Sequence, residues 1–315
     1  MFDISIVIIN YNTEQYTINC IESIILKTNP KLKCQYIIVD NGSQESSFNK
    51  LSSYIQTIKQ NHTIQLIRSN INTGFGSGNM IGVLQAKGKY IAFINNDILL
   101  KNDCLSILKN FMEINNNVGV VGPQAYTEND KLLPTIDHFA SLQREIFGRK
   151  ILETINPKKH TKRKKVYTEP IHGQFIGGSF MFFRTSDFND IGGFDTNIFL
   201  YYEETDLCKR LLKINKLAYL EPNAKFTHFH GASTQKSVAI KIELKISLLY
   251  IIRKHYGIIP FYILLIYLQI RYFFSSLIKP KHWPLFYILL LQAPLTKSLK
   301  HQQKINILSN SHNIY

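Results

Sequence analysis

The sequence predicts an α/β protein organised around a doubly wound, mostly parallel sheet. Two observations carry this: short, continuous apolar runs alternate with segments of helical period, and each run ends abruptly in amides, carboxylates or glycines. Residues 3–9 (DISIVII) are the first run, followed by Asn10-Tyr11-Asn12 and a helical segment from residue 14 to about 27. Residues 35–39 (QYIIV) are a second strand, ending in Asp40-Asn41-Gly42-Ser43. Residues 63–67 are a third, leading into the glycine-rich Asn72-Thr73-Gly74-Phe75-Gly76-Ser77-Gly78-Asn79. The fourth, residues 90–94 (YIAFI), stops at Asn95-Asn96-Asp97. All four deliver polar residues to one edge of the sheet.

That edge is where open α/β sheets gather ligands. Asp97 therefore stands where a metal ion and a phosphate would be held, although Asn96 and Asp97 would also suit a plain turn. A hard cation takes several oxygen ligands, and further donors are present in the cluster Glu203-Glu204-Thr205-Asp206 and in His228 and His230.

Taken in order, IINYN, VDNGS, NTGFGSGN, the NND after an apolar strand, GGFD, YYEETDLC and HFHG resemble the family 2 inverting glycosyltransferases of GT-A fold, and most of all their rhamnosyltransferase-like branch. The match spans roughly residues 3–235 and lies in the order of the motifs, none of which is specific alone. GFGSG follows the third strand, whereas a dinucleotide fingerprint belongs after the first, so a nicotinamide enzyme is disfavoured.

The resemblance implies roles residue by residue. A nucleoside diphosphate leaving group would be stabilised by Mg²⁺ or Mn²⁺, held by Asp97 and His228. The family often has two acids, Asp-x-Asp, where this chain has Asn95 and Asp97; the pattern His228-x-x-Gly231-x-Ser233 matches better than His230. The acceptor hydroxyl must lose its proton to a carboxylate. The acidic box aligns Glu204 with that base, with Glu203 and Asp206 behind it or orienting the acceptor, and Asp206 as the alternative base. A helix dipole alone also favours acids there. Asp40 would accept from the pyrimidine N–H and Tyr11 would pack on the base, which points to a dTDP or UDP donor. Asn72, Gly74, Asn79 and Asn95 would approach the ribose and diphosphate. Gly177-Gly178-Ser179 and Gly192-Gly193-Phe194-Asp195 fall to the acceptor side. The alternative is a catalytically inactive relative acting as a membrane-bound assembly partner, and the joint presence of Asp97, Glu204 and His228 speaks against it.

A chain of 315 residues fits one enlarged domain, 1–235, followed by a basic helical tail, 236–315. Cys20, Cys34, Cys104 and Cys208 have no CxxC spacing, so neither a zinc site nor a redox pair is indicated. Met1-Phe2-Asp3 runs directly into a strand without a basic leader, and a cytoplasmic protein is expected. The net charge of +15 is uneven: from Lys236 onward eleven Lys or Arg stand against Glu243 alone, around two apolar runs, residues 257–278 and 285–291. That combination suits the anionic inner face of a cell membrane, and with it a lipid-linked glycan acceptor, better than nucleic acid. Three arrangements compete: shallow insertion, a single span with Arg271 snorkelling, or a buried helix pair forming a homo-oligomer. Removal of residues 255–315 is expected to release the enzyme from membranes and raise its solubility. The basic run 158–165 is expected to be a solvated loop, or else to dock a lipid diphosphate or a membrane surface.

Overall fold

The computed structural model describes residues 2–229 and 237–305, so His230, Gly231 and Ser233 lie outside the described residues. Strands β1 (Phe2–Asn10), β2 (Cys34–Asn41), β3 (Ile64–Ser69) and β4 (Gly88–Asn95) open the chain. Helices α1 (Glu14–Lys27), α2 (Glu45–Ile58) and α3 (Phe75–Val83) form the crossovers. β1 lies between β2 and β4, all parallel, with β3 outside β2. The strand order therefore reverses between β1 and β4, and the crevice beyond such a reversal is the ligand site of open α/β sheets.

The chain continues through β5 (Ile98–Leu100), α4 (Cys104–Ile114), β6 (Val118–Tyr126), β7 (Leu132–Leu133), β8 (Ile136–Asp137), α5 (Leu142–Phe147) and α6 (Arg149–Ile155). It then passes through β9 (Ile171–Gly173), β10 (Phe175–Ile176), β11 (Phe180–Arg184), α7 (Thr185–Asp190), α8 (Glu203–Lys213) and β12 (Leu217–His228). The main sheet runs β3-β2-β1-β4-β11-β6-β12-β5, with β11 antiparallel to both neighbours and β5 antiparallel to β12. It is thus a mixed, mostly parallel sheet.

Alternation along the strands divides two cores. Ile4, Ile6 and Ile8 of β1 face α1, α2 and α4 through residues such as Ile21, Leu51 and Leu108. Val7, Ile37 and Val39 face the other layer, where Phe188 of α7 and Leu207 and Leu211 of α8 pack. Both faces are covered, which is why the strands are apolar at nearly every position.

Three helices follow: α9 (Val238–Tyr256), α10 (Ile258–Ile278) and α11 (Trp283–Leu290). They build a third core from Ile246, Leu249, Ile252, Phe261, Leu264, Leu268 and Leu289, and Ala140 and Ile198 of the preceding domain belong to it. Asp195 Oδ2 accepts from the Tyr250 hydroxyl (2.7 Å) and Lys254 Nζ (2.6 Å), and the Ser247 hydroxyl donates to the Leu200 carbonyl (2.9 Å). The segment is therefore packed on the preceding domain, and a cut at residue 255 would uncover the apolar face of α9 that Phe261, Leu264 and Leu268 cover. Asp195 of GGFD is likewise occupied in clamping α9. In the basic run, Arg163 turns inward to Glu153 (3.0 Å) and Asp137 (3.4 Å), and His160 is buried. Lys158, Lys159, Lys162, Lys164 and Lys165 remain exposed as a solvated face.

Candidate active site

The carboxyl ends of β1, β2 and β4 and the start of α3 enclose a cavity of about 370 Å³. Tyr11, Asn72, Gly74, Asn79 and Asn95 line it as the sequence predicted, joined by Asn41, Thr13, Phe75 and Phe199, and by Ser237 and Ile240 at the start of α9. A larger depression of about 650 Å³ lies at the opposite, amino-terminal edge, around Phe2, Cys34 and His62, and contains none of the candidate residues. Gly74 has φ +86°, and a Cβ there would sit 2.3 Å from the Phe199 carbonyl oxygen, so only glycine allows this wall to close. Asn41 holds the glycine-rich loop: its amide donates to Asn72 Oδ1 and the Gly74 carbonyl (both 3.1 Å), and its oxygen accepts from Thr73 N–H (3.0 Å).

Asp40 is placed differently from the expectation. It is fully buried behind the cavity wall and accepts from Asn10 Nδ2 (2.8 Å) and Ser43 N–H (3.3 Å), with Arg68 Nε 3.8 Å away. Burial raises its pKa against those contacts. In this state its carboxylate does not line the cavity, whereas the half-exposed Tyr11 does.

Beyond Asn95, the Asn96 amide donates to the Thr13 (2.7 Å) and Thr17 (2.9 Å) hydroxyls and so fixes the turn. Asp97, only 3% exposed, then meets His228: Nε2 is 3.3 Å from Oδ1. The sheet explains the meeting, because His228 pairs with Ile98 across β12 and β5, and Phe229 N–H donates to the Asp97 carbonyl (2.9 Å). Two donors placed cis on an octahedral ion at about 2.1 Å stand about 3 Å apart, so this pair fits Mg²⁺ or Mn²⁺. Among the described residues no third His, Cys, Asp or Glu completes a protein-only metal site, and the remaining positions suit phosphate oxygens and water.

The acidic box opens α8 after two consecutive non-glycine residues in the left-handed region, Tyr201 (φ +75°) and Tyr202 (φ +72°). Such strain in bulky residues persists only where the surroundings enforce it. Its three acids have separate environments. Glu204 Oε1 and the Phe75 ring both lie within 4 Å of the point where a Cβ on Gly178 would be, and Phe75 lines the cavity. Burial raises the Glu204 pKa, with Arg144 opposing and Asp137 reinforcing the shift. Glu203 is buried with its Oε1 unpartnered, and burial together with the Glu204 charge pushes it well above the ordinary carboxyl range. Asp206 is fully buried and saturated: Arg210 grips Oδ2 (2.9 and 2.6 Å), while His255 Nε2 (2.7 Å) and Lys254 Nζ (2.6 Å) meet Oδ1.

A nucleotide-sized cavity at the strand reversal, a carboxylate–imidazole pair and a buried acidic box are the parts a nucleotide-sugar enzyme requires. The chain matches Glycosyl transferase family 2 over residues 5–192. It belongs to that family. The dTDP-rhamnosyl transferase RfbF of Shigella flexneri is 25% identical over 245 residues, covering 76% of this chain and 73% of that protein. Rhamnosyltransferase WbbL of Escherichia coli (strain K12) is 29% identical over 194 residues, covering 58% and 71%. These relatives put this family 2 glycosyltransferase in the rhamnosyltransferase-like branch. Solved structures agree on the GT-A fold. GalNAc-T7 with UDP, GalNAc and Mn²⁺ matches with TM-score 0.57 and 14% identity over 78% of this chain, which spans 48% of that one. S. aureus TarS 1-349 in complex with UDP-GlcNAc gives 0.53 and 14% over 80% and 66%.

Proposed function

We propose that this glycosyltransferase moves a sugar, with rhamnose the first choice, from a dTDP- or UDP-sugar to a hydroxyl of a lipid-linked or cell-surface polysaccharide precursor. It would do so with inversion, as a peripheral enzyme on the inner face of the cell membrane. The observation that carries the reading is that the Phe75 ring lines the cavity that suits a nucleotide and, like Glu204 Oε1, lies within 4 Å of the point where a Cβ on Gly178 would be. RfbF, named for dTDP-rhamnosyl transfer, supports the donor, and the complex of TarS with UDP-GlcNAc supports a pyrimidine nucleotide sugar more generally.

Asp97 and His228 would hold the metal, which when bound neutralises the charge that grows on the departing diphosphate. Tyr11 packs on the base, and Asn72, Asn79 and Asn95 present amides toward ribose and diphosphate beside the glycine at position 74. Asp40 is assigned to shaping the turn through Asn10 and Ser43. Glu204 takes the proton of the acceptor hydroxyl as its oxygen bonds to the anomeric carbon and the diphosphate oxygen leaves on the opposite side. Its burial favours this role, because a base works best when its pKa approaches the working pH. Asp206, held by Arg210, Lys254 and His255, is a poorer base.

The test is thermal stability in the presence of dTDP-rhamnose, UDP-glucose and UDP-GlcNAc, with and without Mn²⁺, followed by transfer of labelled sugar to extracted lipid-linked glycans. Metal-dependent stabilisation with transfer is expected. Stabilisation by no pyrimidine nucleotide sugar would overturn the reading, and binding that never leads to transfer or hydrolysis would favour the inactive assembly partner.

A further inference from the structure

The C-terminal helices carry a surface that sugar transfer does not use. Among the described residues α10 is the one helix long and apolar enough to cross a membrane, and 28% of its most apolar window is buried. That buried share has a direction. Phe261, Leu264, Leu265 and Leu268 pack in the third core with α9 and α11, and Gln269 Nε2 donates to the Leu289 carbonyl of α11 at 2.9 Å. On the opposite side Tyr262, Ile266, Ile270, Phe273 and Leu277 recur at the helical step and are each between 39% and 57% exposed. The Phe273 ring reaches Trp283 (6.3 Å between centroids), so the stripe continues onto α11 through Trp283 and Tyr287, 41% and 58% exposed. Lys279 and Lys281, between the two helices, are exposed beside it.

We propose that α10 and α11 lie flat in the surface of an anionic bilayer, with the aromatic and aliphatic stripe in the acyl boundary and the lysines among the headgroups. This rests on the membrane-bound reading of the enzyme and adds how the chain is held. Spanning would strip Phe261, Leu264 and Leu268 from α9 and open the core that Ala140 and Ile198 share. A second copy of the chain would set one basic surface against another, eleven cations to one acid from Lys236 onward on each side. An anionic bilayer matches both halves of the surface, since aromatic side chains favour the headgroup boundary and the lysines are drawn to it. On its packed side α10 also meets α5, which carries Arg144, whose guanidinium lies 5.8 Å from the Tyr202 ring just ahead of the acidic box.

Trp283 is the only tryptophan in the chain, so intrinsic fluorescence reports on the stripe directly. Full-length protein is mixed with phosphatidylcholine vesicles with or without phosphatidylglycerol. With phosphatidylglycerol, Trp283 emission should shift to the blue and be quenched more by a nitroxide near the headgroup than by one near the acyl end. The bound protein should float with the vesicles and come off in alkaline carbonate. Ile266→Glu combined with Ile270→Glu, both on the exposed side and checked for an unchanged thermal melt, should weaken binding at least tenfold. Lys279→Gln and Lys281→Gln should each weaken it about fivefold, the factor that corresponds to about 1 kcal/mol per surface lysine. Carbonate-resistant flotation with deep quenching would overturn the flat arrangement in favour of a span. Unshifted emission together with a concentration-dependent dimer would overturn the lipid occupant, and equal binding to neutral vesicles would overturn the role of the lysines. Transfer to a soluble acceptor is measured in parallel, so failure of the anchor is separated from failure of the glycosyltransferase reading.

Discussion

His228 Nε2 stands 3.3 Å from Asp97 Oδ1 because the last residue of β12 pairs with the residue after Asp97. Neither side chain has a local reason to find the other; the sheet register brings them together. Asp97→Asn and His228→Ala are each expected to remove the Mn²⁺-dependent part of nucleotide-sugar stabilisation while leaving the melting temperature of the free protein within a few degrees. Undiminished transfer by Asp97→Asn, or by wild type in EDTA, would remove the metal from the mechanism.

Glu204→Gln should abolish transfer by about 10² to 10⁴ in rate and keep donor affinity, since a base acts on the acceptor. The acid limb of the kcat/KM profile in the wild type should lie above the ordinary carboxyl value of 4.5, because burial raises Glu204 more than Arg144 lowers it, with Asp137 acting in the same direction as burial. Glu203→Gln separates the neighbours: its buried carboxyl is pushed well above the ordinary range, so a neutral amide should retain turnover and raise stability at neutral pH. Loss of turnover in Glu203→Gln with normal rates in Glu204→Gln would exchange the two roles.

Asp206→Asn should mainly destabilise. Breaking a buried charge cluster by removing one partner typically costs about 3 to 5 kcal/mol. Burial alone would raise the Asp206 pKa, but His255, Arg210 and Lys254 outweigh it and hold the carboxyl far below its ordinary 3.8. The unfolded chain then binds this proton more readily than the native one. The stabilisation is complete above about pH 4 and is lost as pH falls below it. Wild type should therefore lose stability steeply in acid, and Asp206→Asn should show a flatter acid limb from a lower starting point. Equal slopes in denaturant melts across that range would deny the cluster this role.

The parallel half of the fold is legible in the sequence because its strands are buried on both faces and each ends in polar residues. β11 is not: Phe180–Arg184 looks like any apolar run, and its antiparallel insertion between β4 and β6 is decided by long-range pairing. In the site, the motif residues Tyr11, Asn72, Gly74, Asn79 and Asn95 reach the cavity directly. Asn41 could have been added from its place beside Asp40, but Phe199, Ser237 and Ile240 arrive from segments without local signals. Asp206 shows the limit most clearly. It looks like one of three equivalent acids until α9, far along the chain, supplies Lys254 and His255.

Gly74→Ala should lower stability by about 2 kcal/mol or more and weaken nucleotide-sugar binding together. The backbone φ of +86° disfavours any Cβ, and the added methyl would collide with the Phe199 carbonyl at 2.3 Å. Relief must come from moving either the glycine-rich loop or the segment ahead of the acidic box, and both border the cavity. A Gly74→Ala protein with wild-type melting temperature and donor affinity would show that this wall is softer than the packing implies.

Cutting the chain before residue 255 tests whether the C-terminal helices form part of the enzyme core. The cut removes His255 from Asp206 and takes Phe261, Leu264, Leu265 and Leu268 from the third core, leaving the buried faces of Ile246, Leu249 and Ile252 in water. Each such side chain contributes roughly 1.5 to 3 kcal/mol when buried, so exposing these three costs about 5 to 9 kcal/mol, a large part of the roughly 5 to 15 kcal/mol that a folded domain usually has in reserve. The fragment 1–254 is expected to be insoluble or to bind a hydrophobic dye strongly, with no transfer even to a water-soluble acceptor. The full-length Ile266→Glu, Ile270→Glu variant should instead stay folded and active on that acceptor while losing its hold on vesicles. A soluble, active 1–254 fragment would show that α10 and α11 are dispensable to the fold, and the packing of the third core would then be incidental to catalysis.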